Sequence, residues 1–438
     1  MSEKISEENI KLLKGTNKPY LWLPSYYFPS GLPYSIIMLS FLGLMYKNYG
    51  ISNTEITFFT GWLYLPWVLK PIWSAVVQMY GSNKRWLVIL QSLMGISFAS
   101  LIFVLPLHDF FKYSLAIFWI VAFISSTFDI AGDGLYLSAL TKEQRAYYIG
   151  WTSTFYRLAM IFANGFLVAL AGFLINHYSI TTSYSCIFLG LGVLFILFAI
   201  YNQFILPVPE KTVNEFVGKT PLKYFCSEFI DIIVTFFNKK KIVIFLLFIL
   251  FYRLAESQLS KISSLFMKDL VSVGGLGMSD IEIGVIYGTF GLIALTIGGI
   301  LSGYLIYRFG LRKMIWWCVC AINLPDLVYV YMSYMQPDSY SILSSCVFVE
   351  MFGYGFGFSA FMLYLMKISE GKYKTAHYAI CTAFMAIGMM VPQMFSGYIE
   401  SILGYKHFFL WVMICTIPSF FVTMLIPIKK DEFKKIKK

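Results

Sequence analysis

The sequence predicts an all-α membrane protein with twelve transmembrane helices in two pseudo-symmetric six-helix halves. Three observations predict it. The 438 residues are 58% hydrophobic and only 13% charged, with a mean hydropathy of +0.70, whereas a soluble domain carries about 25% charge. Runs of roughly 20 apolar residues recur between Tyr20 and Pro427, each long enough to cross ~30 Å of hydrocarbon at ~1.5 Å per residue. The basic residues sort to alternate loops. Helices satisfy their own backbone groups inside lipid, and the alternating pattern of a β-barrel is absent.

The expected spans are residues 22–46, 53–79, 86–106, 113–139, 146–175 and 183–206, then 242–268, 280–307, 313–335, 341–366, 375–399 and 406–427. With twelve spans, both termini lie on one side. Of the 34 Lys and Arg, twenty-six then fall on that side, four (Lys47, Lys112, Lys268, Lys406) on the other and four inside spans. Cytoplasmic loops carry the positive charge, so both termini are expected in the cytoplasm. The net charge of +11 is thereby a topological signal, not a sign of nucleic-acid binding. Residues 1–18 are polar, so a cleavable leader is not expected.

The longest polar stretch, 207–241, divides the chain into an N-terminal half (1–206) and a C-terminal half (242–438). Leu222, Phe225, Phe229, Ile232, Ile233 and Phe236 recur in it at helical spacing, which predicts a short helix lying at the membrane interface.

Nine ionisable residues fall well inside spans: Lys70, Asp129, Asp133, Arg157, Arg253, Glu256, Lys261, Asp326 and Glu350. Each costs roughly 2.5–3.5 kcal/mol or more at a lipid-facing helix centre, so they are expected to face one another or water. Asp129 and Asp133, one helical turn apart, share a face and repel. That favours one of them holding a proton. Asp133 ranks first as proton carrier because Gly132 and Gly134 leave room beside it, then Asp129, Glu256 and Glu350. Arg157 and Asn164 are seven residues apart on the fifth span, and Arg253, Glu256 and Lys261 form a stripe on the seventh. Lys70, Arg157, Asn164, Arg253 and Lys261 are the expected solute-binding surface. Asp326, on the ninth span, has no role in this reading.

Aromatic residues make up 19% of the chain. Most are expected in interfacial belts and helix packing. Trp67 and Tyr156 lie beside the charged faces, where rings stack on sugars. The seven cysteines form no CxxC pair and are expected as reduced, mostly buried thiols, with no metal or cofactor. The four histidines (His108, His177, His377, His407) sit near span ends. A membrane-embedded enzyme is therefore not expected.

The six-plus-six layout is that of the major facilitator superfamily. The turn Gly303-Tyr-Leu-Ile-Tyr-Arg308-Phe-Gly310-Leu-Arg312-Lys313 resembles its G-x3-D-R-x-G-R-K loop, with Tyr307 in place of the acid and Gln78 at the equivalent early position. More specifically, Ser30-Gly31-Leu32-Pro33, Leu65-Pro66-Trp67-Val68-Leu69-Lys70-Pro71-Ile72-Trp73, Asp129-Ile-Ala-Gly-Asp133, Tyr156-Arg157-Leu158-Ala159-Met160 and Tyr252-Arg253-Leu254-Ala255-Glu256 resemble the AmpG-type muropeptide permease family and its acetyl-CoA and siderophore-transporting relatives. Glu350-Met-Phe-Gly353-Tyr-Gly355 and Gly397-Tyr-Ile-Glu400 extend the resemblance through the later half. The resemblance implies proton-coupled import, by a monomer in the inner (cytoplasmic) membrane, of muropeptides or of an anionic amino sugar such as N-acetylmuramic acid. An importer of a siderophore or another sugar is the alternative on the same fold.

Overall fold

The computed structural model describes residues 12–14, 16, 18–79, 82–140, 142–209, 230–371 and 373–428. Strand β1 (Leu12–Lys14) leads into helices α1 (Pro19–Met38), α2 (Ser40–Asn48), α3 (Asn53–Trp62), α4 (Leu65–Met79), α5 (Asn83–Val104), α6 (Phe110–Ala139), α7 (Lys142–Ile161), α8 (Leu167–Ile175) and α9 (Ile180–Ile205). After β2 (Val208–Pro209) come α10 (residues 230–237), α11 (Ile242–Phe251), α12 (Leu254–Lys268), α13 (Asp280–Val285), α14 (Leu292–Phe309), α15 (Leu311–Asn323), α16 (Leu327–Met335), α17 (Tyr340–Ile368), α18 (Lys374–Cys415) and α19 (Ile417–Leu425).

Among the described residues, nine helical stretches are long and apolar enough to cross a membrane, or ten when α1 and α2, bent by 46°, count as one span. The stretch Ala376–Leu425 is 50 residues long, more than twice the length needed to cross. Gly404, at φ 66° and ψ 161°, breaks it where the sequence places the loop between the last two spans. The expected second span is present as α3 and α4, separated by a turn at Leu63–Tyr64. Helix α10 lies within the expected interfacial helix, whose earlier part is outside the described residues. One short feature was not expected: β1 pairs antiparallel with β2, tying the N-terminal segment to the start of the linker.

The breaks have local causes. Pro24, Pro29 and Pro33 interrupt donors within α1. Pro325 initiates a 3₁₀ turn, Leu324–Asp326, that divides α15 from α16. π-Turns at Phe162–Phe166 and Ile286–Gly291 divide α7 from α8 and α13 from α14. Matching capping boxes, Ser52 with Glu55 and Ser279 with Glu282, open α3 and α13, satisfying donors that a helix start otherwise leaves free.

The chain forms two compact units. The first comprises Met1–Tyr34, Leu69–Ala159 and Ser185–Glu228; the second comprises Ser35–Val68, Met160–Tyr184 and Phe229–Lys438. In the first, Ser25, Gln91 and Asn202 join α1, α5 and α9: Ser25 donates to Asn202 at 2.6 Å and Asn202 donates to Gln91 at 2.9 Å. In the second, the π-turns of the fifth and eighth spans touch. A Cβ at Gly165 would collide with Thr289, and one at Gly288 with the Asn164 carbonyl. Gly397 likewise lets α18 lie against Asn53 and Thr57 of α3.

Candidate functional site

The charged residues form three groups, each described within its own unit. In the first unit, the proline-flanked start of α4 carries Lys70, and α6 carries Asp129 and Asp133. Lys70 Nζ lies 4.0 Å from Asp133 Oδ2, with side chains 31% and 63% exposed. The Asp133 side chain is therefore largely exposed. The expected space beside it is reduced. Gly132 abuts the Tyr26 ring, and a Cβ at Gly134 would lie 3.0 Å from the Asn83 side chain. Asp129 accepts a hydrogen bond from Ser30 at 2.7 Å, and Tyr26 donates to its backbone carbonyl at 3.4 Å. Ser30 entered the sequence reading only as part of a family motif, and Tyr26 not at all, because nothing in the pattern places α1 against α6.

Arg157, on α7, is half-buried, and its Nη1 is buried without a hydrogen-bond partner. A guanidinium nitrogen in that state is costly unless an anion meets it. The neighbouring Tyr156 ring lies 6.3 Å from that of Tyr34. Gly31 packs its α-carbon against Ala159 and the Tyr156 carbonyl, which brings the start of the molecule against α7.

In the second unit, Trp67 is half-buried on α4. Two expected ligand-binding residues have structural partners. Asn164, 2% exposed, accepts from the Ser40 and Phe41 backbone amides at 2.9 and 3.2 Å. Those donors are freed by the break between α1 and α2, so Asn164 patches that break. Lys261 is fully buried and donates to the Ile37 carbonyl at 2.9 Å, again beside the break. Arg253 donates to the Tyr354 hydroxyl at 2.5 Å, and its guanidinium carbon lies 4.8 Å from the Phe358 ring centroid. Glu256 of α12, Glu350 of α17 and Asp326 of the 3₁₀ turn converge, with one carboxylate oxygen from each within 4.8 Å of the others.

A third group joins α2 and α3 to the C-terminal half, also within the second unit. Lys47 pairs with Asp269 at 2.6 Å. Asn53 donates to Asp269, Glu400 and Tyr405 at 3.1, 3.0 and 2.8 Å, and Tyr405 donates to Asp269 at 2.5 Å. Nearby, Asp280 pairs with Lys268 at 2.8 Å and accepts from Asn48 at 2.6 Å. Sequence alone did not reveal this group, because its members come from three distant segments.

Other features carry no site. A hollow lined by Leu254, Gln258, Pro392, Phe395, Trp411 and Cys415 is almost wholly apolar. The six described cysteines are free. Cys318, Cys381 and Cys415 are buried, Cys320 and Cys346 partly so, and Cys186 is exposed, contrary to the expectation of general burial; Cys226 is outside the described residues. In the Arg308–Lys313 turn, Arg308 lies over the Phe309 ring at 5.4 Å. The side chain of Gln78 is outside the described set.

The family model of the Major Facilitator Superfamily matches residues 25–270 and 260–438. Putative transporter AmpG 4 of Rickettsia conorii (strain ATCC VR-613 / Malish 7) is 27% identical over 413 residues, covering 91% of this chain and 94% of the relative. The anhydromuropeptide permease of Escherichia coli (strain K12) is 23% identical over 404 residues, covering 91% of this chain and 77% of the permease. Among solved structures, a point mutant of the nucleoside transporter NupG superposes with a TM-score of 0.73 at 14% identity, covering 94% of this chain and 100% of the other. A D-xylose-proton symporter gives 0.69 at 12% identity, with 95% and 99% covered. The chain belongs to the Major Facilitator Superfamily and is a multi-pass membrane transporter similar along most of its length to the AmpG proteins.

Proposed function

We propose that this transporter imports an anionic muropeptide or cell-wall amino sugar together with protons, by alternating access, across the cytoplasmic membrane. The observation that carries the reading is Arg157: its Nη1 is buried without a partner, on a helix whose Tyr-Arg-Leu-Ala-Met segment resembles the muropeptide permeases. A lactyl or peptide carboxylate supplies the missing acceptor, and a planar guanidinium binds it through two parallel hydrogen bonds. A sugar ring stacks on Tyr156. The relative from Escherichia coli, by its name a permease of anhydromuropeptides, supports that substrate class.

In this reading Asp133 carries the proton. It is open, and it lies 4.0 Å from Lys70. Protonating it removes its hold on Lys70, which then attracts the anionic solute, so proton and solute enter together. The halves are 1–206 and 242–438, joined by a cytoplasmic linker at 207–241, with both termini inside. The Lys47–Asp269–Asn53 group is the outer latch, and it supports a state closed to the outside. It ties α2 and α3 to the segments of the C-terminal half that flank outer loops.

Uptake by proteoliposomes tests the reading. The labelled disaccharide of N-acetylglucosamine and anhydro-N-acetylmuramic acid is expected to accumulate only when the outside is acidic. Equal uptake with and without the gradient removes proton coupling. Accumulation of a siderophore instead of the disaccharide overturns the substrate class.

A further inference from the structure

Glu256, Asp326 and Glu350 lie on three different elements of the second unit, and the fold brings them together. Gly353, one turn beyond Glu350 on α17, has no room for a Cβ against the Ala321 carbonyl and Pro325. That close approach seats Glu350 against the Pro325 turn that carries Asp326. One carboxylate oxygen from each acid lies within 4.8 Å of the others. Their exposures are 5%, 2% and 2%.

Structural roles do not account for them. Asp326 stands at the start of α16, where an Asp ordinarily caps the helix, yet it makes no capping bond. Both its carboxylate oxygens are buried with no hydrogen-bond partner, as is Oε2 of Glu256. Glu350 has a weak donor in the Tyr329 hydroxyl, at 3.4 Å. The other charged or titratable groups in electrostatic reach are Arg253, Tyr287 and Tyr329, with Tyr354 behind Arg253. Lys261, on the same helix as Glu256, is held by the Ile37 carbonyl.

The charge balance selects the occupant. Three ionised carboxylates and Arg253 leave two negative charges buried, a state whose desolvation cost is prohibitive. Two protons cancel them with no further ligands. A divalent ion also balances the charge but takes six to eight oxygens as Ca²⁺, or a near-ideal octahedron as Mg²⁺. The three carboxyl groups supply at most six oxygens, and the positive Arg253 in electrostatic reach of Glu256 repels a divalent cation that would enter among them. We propose that Glu256, Asp326 and Glu350 form a second proton-binding site, in the C-terminal half, which holds two protons among three carboxyl groups and exchanges them during the transport cycle. This rests on the proton-coupled reading above, extends it from the Lys70–Asp133 pair, and gives Asp326 a role.

Infrared difference spectroscopy of the full chain in lipid vesicles tests the site without any solute. Protonated carboxyl groups give a carbonyl stretch that shifts in D₂O. The wild type is expected to show this band at neutral pH and to lose it on alkaline titration. Asp326→Asn and Glu350→Gln, each leaving two acids and Arg253, are expected to reduce its amplitude by about half. Absence of the band from the wild type at neutral pH overturns the proposal, even if the variants do not fold. So does calorimetric binding of Ca²⁺ or Na⁺ that Asp326→Asn abolishes. If the band is present but the vesicles take up no disaccharide, the substrate reading fails and the site stands. If uptake is acid-driven and the band is absent, the site fails and the substrate reading stands.

Discussion

Lys47 and Asp269 meet at 2.6 Å, with side chains 20% and 12% exposed, although one follows the first span and the other the seventh. Asn53 donates to the same carboxylate and accepts from the same lysine. This small network links segments of the two sequence halves within the second unit. If it latches the outer side, Lys47→Met is expected to shift the population toward an outward-open state. A partly buried pair of this kind is worth roughly 1–2 kcal/mol, about a five- to thirtyfold change in the ratio of states. Cysteine labelling from outside at position 57, where Thr57 is fully buried against α18, measures it. Unchanged labelling removes the latch.

Arg157→Lys keeps the charge but loses the planar fork. Charge-assisted hydrogen bonds contribute roughly 1.5–3 kcal/mol, so disaccharide uptake is expected to fall about tenfold or more. Tyr156→Phe is expected to cost less, because the ring remains. Wild-type uptake by Arg157→Lys reduces Arg157 to a packing residue.

Asp133→Asn mimics the protonated carboxyl. Solute exchange between two equal pools is expected to persist, while accumulation driven by external acid is lost. A variant that still concentrates solute in response to acid transfers coupling away from the Lys70–Asp133 pair.

Asn164→Ala separates structure from binding. It strands the Ser40 and Phe41 amides, each a buried donor that loses its acceptor at a cost of about 1–3 kcal/mol. A lower thermal midpoint is expected, with the apparent affinity of the surviving folded protein unchanged. A selective loss of affinity at wild-type stability restores Asn164 to the binding surface.

Topology has its own test. Cysteines placed at Asn9 and Asn214 are expected to resist a membrane-impermeant label in intact cells, because the basic residues cluster on that side. Ready labelling of either overturns the assignment of both termini and the linker to the cytoplasm.

Much of the candidate site was legible in the sequence. A charge inside an apolar run is conspicuous, since lipid tolerates it only with a partner or water, and that singled out Lys70, Asp133, Arg157, Glu256 and Asp326 without any coordinates. What each does was less legible. Asn164 and Lys261 look like ligand-binding residues by type and position, yet both serve carbonyls or amides released where α1 breaks before α2. Gly132 looks like open space, and the Tyr26 ring fills it.

The sequence by itself determined the recurrence of apolar spans, the expected inside–outside bias and the inventory of intramembrane charge, because hydropathy and loop charge act locally on each segment as it meets the bilayer. Only the tertiary structure decided which charges meet. The Glu256–Asp326–Glu350 convergence depends on a proline turn and a missing Cβ at Gly353. The Lys47–Asp269 pair joins a residue that follows the first span to one that follows the seventh. Such pairings are set by how helices pack, and helix packing is a property of surfaces far apart in the chain.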